Sequence, residues 1–122
     1  MALCHCGSPW EQLQSGLEVW RAGLARLARL ARLARLPRVV CKLAGLSMFD
    51  PRWTTARFVS RVRTVLDIFG PERCLFGSNF PVDGLDRNYR EIVTATLAAL
   101  DGFGASASDC VFRGTARRFY RL

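Results

Sequence analysis

His5 is the only histidine of the 122-residue chain, and it stands where a short apolar segment, Ala2-Leu3-Cys4-His5-Cys6-Gly7, runs into a turn at Gly7-Ser8-Pro9. Lys42 lies near the end of a second apolar segment that closes on Ala44-Gly45, and Ser78-Asn79 close a third, with Asp83 four residues further on. In parallel α/β sheets the chemistry gathers where strands meet the loops that come after them. There an imidazole can ligate a metal or move a proton, and a carboxylate can act as a base. Asparagine carries no charge and can only donate or accept hydrogen bonds. Strand alternation would turn Cys4 and Cys6 away from His5, so the three are not expected to grip one metal, and no Cys-x-x-Cys pair helps.

The elements that must position these residues can be read from pattern. A helix is predicted over about 16–36, with Leu17, Trp20, Leu24 and Leu27 at helical spacing and Pro37 as its stop. Val39 to Gly45 reads as a second strand. Asp50-Pro51 suits the N-cap and first position of a helix whose apolar face is Phe58, Val62, Val65, Leu66 and Phe69. Arg73 to Pro81 reads as a third strand and its exit loop, with a helix after it over about 87–100. Ser106 with Asp109 resembles a capping box for a last helix, re-capped at Gly114-Thr115. Strands alternating with helices predict parallel strands with right-handed crossovers, an α/β sheet.

Half the residues are hydrophobic and 23% charged, which excludes wholesale disorder. No stretch reaches the length of a membrane span, and the first residues lack the basic and apolar regions of a signal peptide. Five cysteines at irregular spacing argue for free thiols in a reducing cytoplasm. The net charge of +8 is concentrated: residues 21–38 carry six arginines and no acid. Within them, residues 24–36 read Leu-Ala-Arg four times and then Leu36. A step of three falls about 60° short of a helical turn, so leucines and arginines drift around most of the helix. A nucleic-acid or membrane helix would instead segregate its charge. The repeat is therefore expected on the outer surface, with residues 27–32 removable at no loss of stability. The alternative is a small non-enzymatic module that binds nucleic acid or an acidic partner through the basic helix 21–38.

Four segments together resemble a known family: His5-Cys6-Gly7-Ser8-Pro9, Val39-Val40-Cys41-Lys42-Leu43-Ala44-Gly45-Leu46, Phe69-Gly70-Pro71-Glu72-Arg73-Cys74-Leu75-Phe76-Gly77-Ser78-Asn79-Phe80-Pro81-Val82, and Ala116-Arg117-Arg118-Phe119-Tyr120. They resemble the amidohydrolase-related (amidohydrolase 2) family, the lactonase-like metal-dependent hydrolases of the TIM-barrel fold. The resemblance implies that residues 1–122 are the C-terminal fragment of a (β/α)8 barrel, its last three βα units, acting on lactone, amide or similar carbonyl bonds. It implies that His5 comes after the sixth strand, near substrate and, in an intact barrel, near a divalent, zinc-like metal. Lys42 on the seventh strand and Ser78 after the eighth would contact substrate. Asn79 stands where the family usually has an aspartate, and Asp83 is the candidate to replace it. The family's first-strand His-x-His has no counterpart here. The isolated chain is therefore expected to hold no zinc and to show no turnover. Its exposed sheet is expected to self-associate, with Cys41, Leu43, Cys74 and Phe76 short of barrel-interior partners.

Overall fold

The computed structural model describes residues 1–9, 14–33, 36 and 38–122. Its centre is a three-stranded parallel sheet in the order β1-β2-β3, formed by Ala2–Leu3, Val40–Leu43 and Cys74–Phe76. The register pairs Leu3 with Cys41, and Cys41 with Cys74. Helix α1 (Gln14–Leu33) comes after β1, α2 (Leu46–Phe49) and α3 (Thr55–Phe69) after β2, and α4 (Tyr89–Ala99) after β3. Three parallel strands alternating with helices are the expected incomplete (β/α) barrel. The end of the predicted first helix, at residues 34, 35 and 37, lies outside the described residues. No described helix is long and apolar enough to cross a membrane.

Alternation along the strands decides which residues form the core, and it reverses one expectation. Cys41, Leu43 and Cys74 are 0%, 3% and 0% exposed and join Leu24, Val62, Leu66, Phe69, Ile92 and Ala99 of the helices in one cluster. Phe76 packs on that cluster and meets the Phe112 ring at 4.8 Å. These four side chains therefore have their partners within this chain. The opposite face of the sheet, the one a closed barrel turns inward, carries Val40, Lys42 and Leu75.

Several element boundaries differ from the sequence reading for local reasons. Strand β1 ends at Leu3, because His5, Cys6, Gly7 and Ser8 all take positive φ in a tight turn over Cys4–Gly7. Alternation therefore no longer governs Cys4 and Cys6: Cys4 is exposed, whereas the buried Cys6 thiol donates to the Lys42 carbonyl at 3.5 Å. Asp50 does not cap α3. Thr54 does, accepting from the Arg57 amide, and Asp50 instead takes Arg57 and Arg61 as ion partners. Helix α4 is shorter than expected because Asn88 and Glu91 make a reciprocal capping box, an arrangement worth about 1 kcal/mol. Ser106 offers no side-chain cap. Asp109 pairs with Arg113, and the helical run α5 (Ala107–Asp109), a π turn over Cys110–Gly114 and α6 (Thr115–Tyr120) continues without a re-cap.

The Leu-Ala-Arg repeat is packed by its alanines. Because each triplet lags a full turn, the buried position passes from Leu24 to Ala28 and Ala31, which are 1% and 2% exposed, while Leu30 turns outward. Arg21, Arg26 and Arg29 stay exposed, and Arg32 reaches the Ile68 carbonyl at 3.2 Å. Removing residues 27–32 brings Ala34 into the place of Ala28 but Pro37 into that of Ala31, and takes out Arg32 with its bond to the Ile68 carbonyl. The packing of α1 argues for a cost where the sequence pattern argues for none. The shortened chain should lose at least about 1 kcal/mol, a fall on the order of 5 °C in thermal midpoint by calorimetry.

Candidate functional site

The ends of the three strands converge on Gly45. This residue closes β2 with φ of +71°, a conformation that favours glycine. A Cβ built on it would lie 2.4 Å from His5 Nδ1 and 3.4 Å from Asn79 Nδ2. His5 and Asn79 are thus neighbours across the space a side chain at 45 would fill. Both hold positive φ, 51° and 54°, a strained setting found disproportionately at functional positions. The Phe49 ring stands edge-on to the imidazole, with centroids 6.3 Å apart.

Asp83 joins them from the tight turn over Val82–Leu85. Its Oδ1 accepts from Asn79 Nδ2 at 2.9 Å, and its amide donates to the Asn79 carbonyl at 3.1 Å. The carboxylate also faces the backbone amides of Ser47 and Met48 at the start of α2, which lacks a side-chain cap of its own. Burial pushes the Asp83 carboxyl up from its ordinary range. The Asn79 amide, the two backbone amides and nearby His5 offset part of that push. An acid whose folded pKa is raised binds its proton more tightly folded than unfolded. Stability should therefore be greatest below the unfolded carboxyl pKa and fall as pH rises through the folded one. A urea midpoint that declines over that window, and no longer does so in Asp83→Asn, is the expected result.

Lys42 and Ser78 lie beside this cluster and are half-buried. The lysine stem crosses β3 over Gly77, where a Cβ would sit 2.4 Å from Lys42 Cε. Ser78 Oγ accepts from the Phe80 amide at 3.3 Å, which fixes the start of the loop. Sequence reasoning missed Gly45 as the meeting point, together with the Ser47 and Met48 amides. The one signal for them was a glycine directly after a strand. The cavity beside Gly45, Gly77 and Asp83 measures about 10 Å³, room for one water at most. Larger grooves, of about 510 and 560 Å³, lie away from it, between α3 and α4 beside Trp53 and Arg87 and between α1 and α3 beside Asp50 and Arg57. Three strands bring the polar groups together without enclosing a substrate.

A family model described as Amidohydrolase matches residues 1–122. The chain belongs to the amidohydrolase family. It is 34% identical to an L-fucono-1,5-lactonase of Burkholderia multivorans over 134 aligned positions, which cover all of this chain and 43% of that protein. It is 37% identical to an uncharacterized protein of Sinorhizobium fredii over 84 residues, 69% of this chain and 28% of that one. Two crystal structures of an amidohydrolase from Burkholderia multivorans, one with bound zinc and one with bound HEPES, superpose with TM-scores of 0.84 and 0.85 at 32% identity. Each match covers 99% of this chain and 43% or 44% of the other. An amidohydrolase 2 of Bifidobacterium longum subsp. infantis gives 0.61 at 27% identity. The chain thus spans less than half the length of these amidohydrolase relatives.

The zinc in one Burkholderia structure supports metal use by the intact amidohydrolase fold. The described residues of this chain do not make such a site by themselves. Among the described residues, no group of three or more His, Cys, Asp or Glu could hold a metal ion, and zinc needs three or four protein donors. The Nδ1 of His5 packs against Gly45, and the Asp83 carboxylate already accepts from Asn79 Nδ2 and faces the Ser47 and Met48 amides.

Proposed function

We propose that residues 1–122 supply the last three βα units of an amidohydrolase-type barrel that hydrolyses a lactone, amide or similar carbonyl bond of a small molecule. The observation that carries the reading is the meeting of His5, Asn79 and Asp83 around Gly45 at the C-terminal ends of parallel strands. In it, His5 polarises the carbonyl and Asn79 donates a second hydrogen bond to the oxygen on which charge develops. Asp83, 1% exposed, holds Asn79 in place. Lys42 and Ser78 contact the remainder of the substrate. The other strands of the barrel would bring the metal ligands that the described residues lack, and they would enclose the substrate. Free thiols fit a cytoplasmic setting.

The same reading expects the chain alone to self-associate. Among the described residues its sheet has two open edges, and Phe80, Val82, Leu85 and Tyr89 expose apolar surface. Co-expression with the part of the Burkholderia multivorans lactonase that this chain does not match tests the assembly. A one-to-one complex that hydrolyses lactone, set against self-associated and inactive chain alone, is the expected outcome. A monodisperse monomer that ignores the lactonase segment would contradict it.

A further inference from the structure

We propose that Gly45 fixes the His5 ring as a hydrogen-bond donor through Nε2, so that His5 polarises a carbonyl rather than taking a proton or binding metal at that nitrogen. That the polarised group is a carbonyl rests on the proposed function, whereas the state of the ring does not.

Nδ1 of His5 is buried and has no hydrogen-bond partner. Against it lies the backbone of Gly45, so close that a Cβ there would come within 2.4 Å of Nδ1 and 3.1 Å of Cγ. A neutral imidazole carries one N–H and one lone pair. A proton on Nδ1 would be a buried donor pressed against aliphatic hydrogen, the rarest kind of unpaired polar group. A lone pair there meets only the weakly polar Cα–H and is tolerated far better. The proton therefore sits on Nε2, the nitrogen left to face the site. The Phe49 ring stands T-shaped to the imidazole, with centroids 6.3 Å apart. A histidine bound to metal through Nε2 would need its proton on Nδ1, usually donated to a carboxylate or carbonyl. No such acceptor is present beside Nδ1 among the described residues.

His5 is the only histidine, so a sample with ¹⁵N-labelled histidine contains a single imidazole, readable in solution or in sedimented protein. In the neutral ring, Nδ1 is expected at a pyridine-like shift and Nε2 at a pyrrole-like one. Gly102 has φ of +87° with nothing near its missing Cβ, which makes Gly102→Ala a control with backbone strain and no clash. That variant should leave the His5 pattern unchanged, whereas Gly45→Ala should shift it or mix the tautomers. If Gly45→Ala does not fold, the double variant with His5→Ala should fold as well as Gly102→Ala, because the clash is with the ring. A proton on Nδ1 in the wild-type chain would overturn the inference, as would an unmoved pattern in Gly45→Ala or a double variant that still fails to fold. An assembled barrel that hydrolyses nothing, with His5 in the expected tautomer, would sink the proposed function and leave this inference standing.

Discussion

Replacing Asp50 with alanine is expected to lower the thermal midpoint by on the order of 10 °C, the largest single-residue effect outside the apolar core. Asp50 lies just past α2 and accepts from Arg61 Nη1 at 2.9 Å and from Arg57 Nη2 at 3.3 Å. The Asp50 and Arg61 side chains are 10% and 9% exposed, so truncation leaves a buried guanidinium without its carboxylate. Breaking a buried pair from one side costs about 3 kcal/mol or more. Arg57 is 53% exposed and its partnership is screened by water, so Arg57→Ala should cost less than about 1 kcal/mol. Equal losses in the two variants, measured by calorimetry, would show that Asp50 acts through the loop rather than through Arg61.

The second large effect is expected from Asn79→Asp, which restores the residue type that the resemblance expects at this position. Asn79 Nδ2 donates to Asp83 Oδ1 at 2.9 Å. An aspartate there would set two carboxylates at hydrogen-bond distance in a partly buried site, which disfavours ionising both. In the isolated chain, loss of about 2 kcal/mol at neutral pH is expected, and the loss should shrink on acidification. Urea titration at neutral and acidic pH reads the difference. A variant as stable as wild type at neutral pH would mean that Asp83 is protonated or displaced without help. Asparagine at 79 is thus the residue that suits a neighbouring carboxylate with no cation between them.

The strand-end residues were legible because apolar segments closing on His5-Cys6-Gly7, Ala44-Gly45 and Ser78-Asn79 can hardly be read otherwise in an alternating α/β pattern. The face of each strand was harder. Cys41, Leu43, Cys74 and Phe76 alternate correctly, but short apolar strands buried on both sides do not reveal which side the helices cover. Asp50-Pro51 carried a local capping signal that a tertiary ion pair overrode, since Arg57 and Arg61 sit one helical turn apart and both reach Asp50. The buried stripe of the repeat is hard to read because it passes from Leu24 to the alanines at 28 and 31 rather than staying on the leucines. Gly45 was visible as a turn glycine, but its role depends on His5, forty residues away, and no local pattern reports that distance.

The most direct test of the account is the rate of lactone hydrolysis by the assembled barrel, with His5, Asn79 or both replaced by alanine. Each single replacement should lower kcat by about 100-fold or more with little change in KM, as expected for donors that act on charge developing in the transition state. The double replacement should fall well short of the product of the two losses, because both groups serve one oxygen. An assembled barrel that turns over lactone at an unchanged rate without His5 and Asn79 would contradict the claim that this chain carries part of a hydrolytic site.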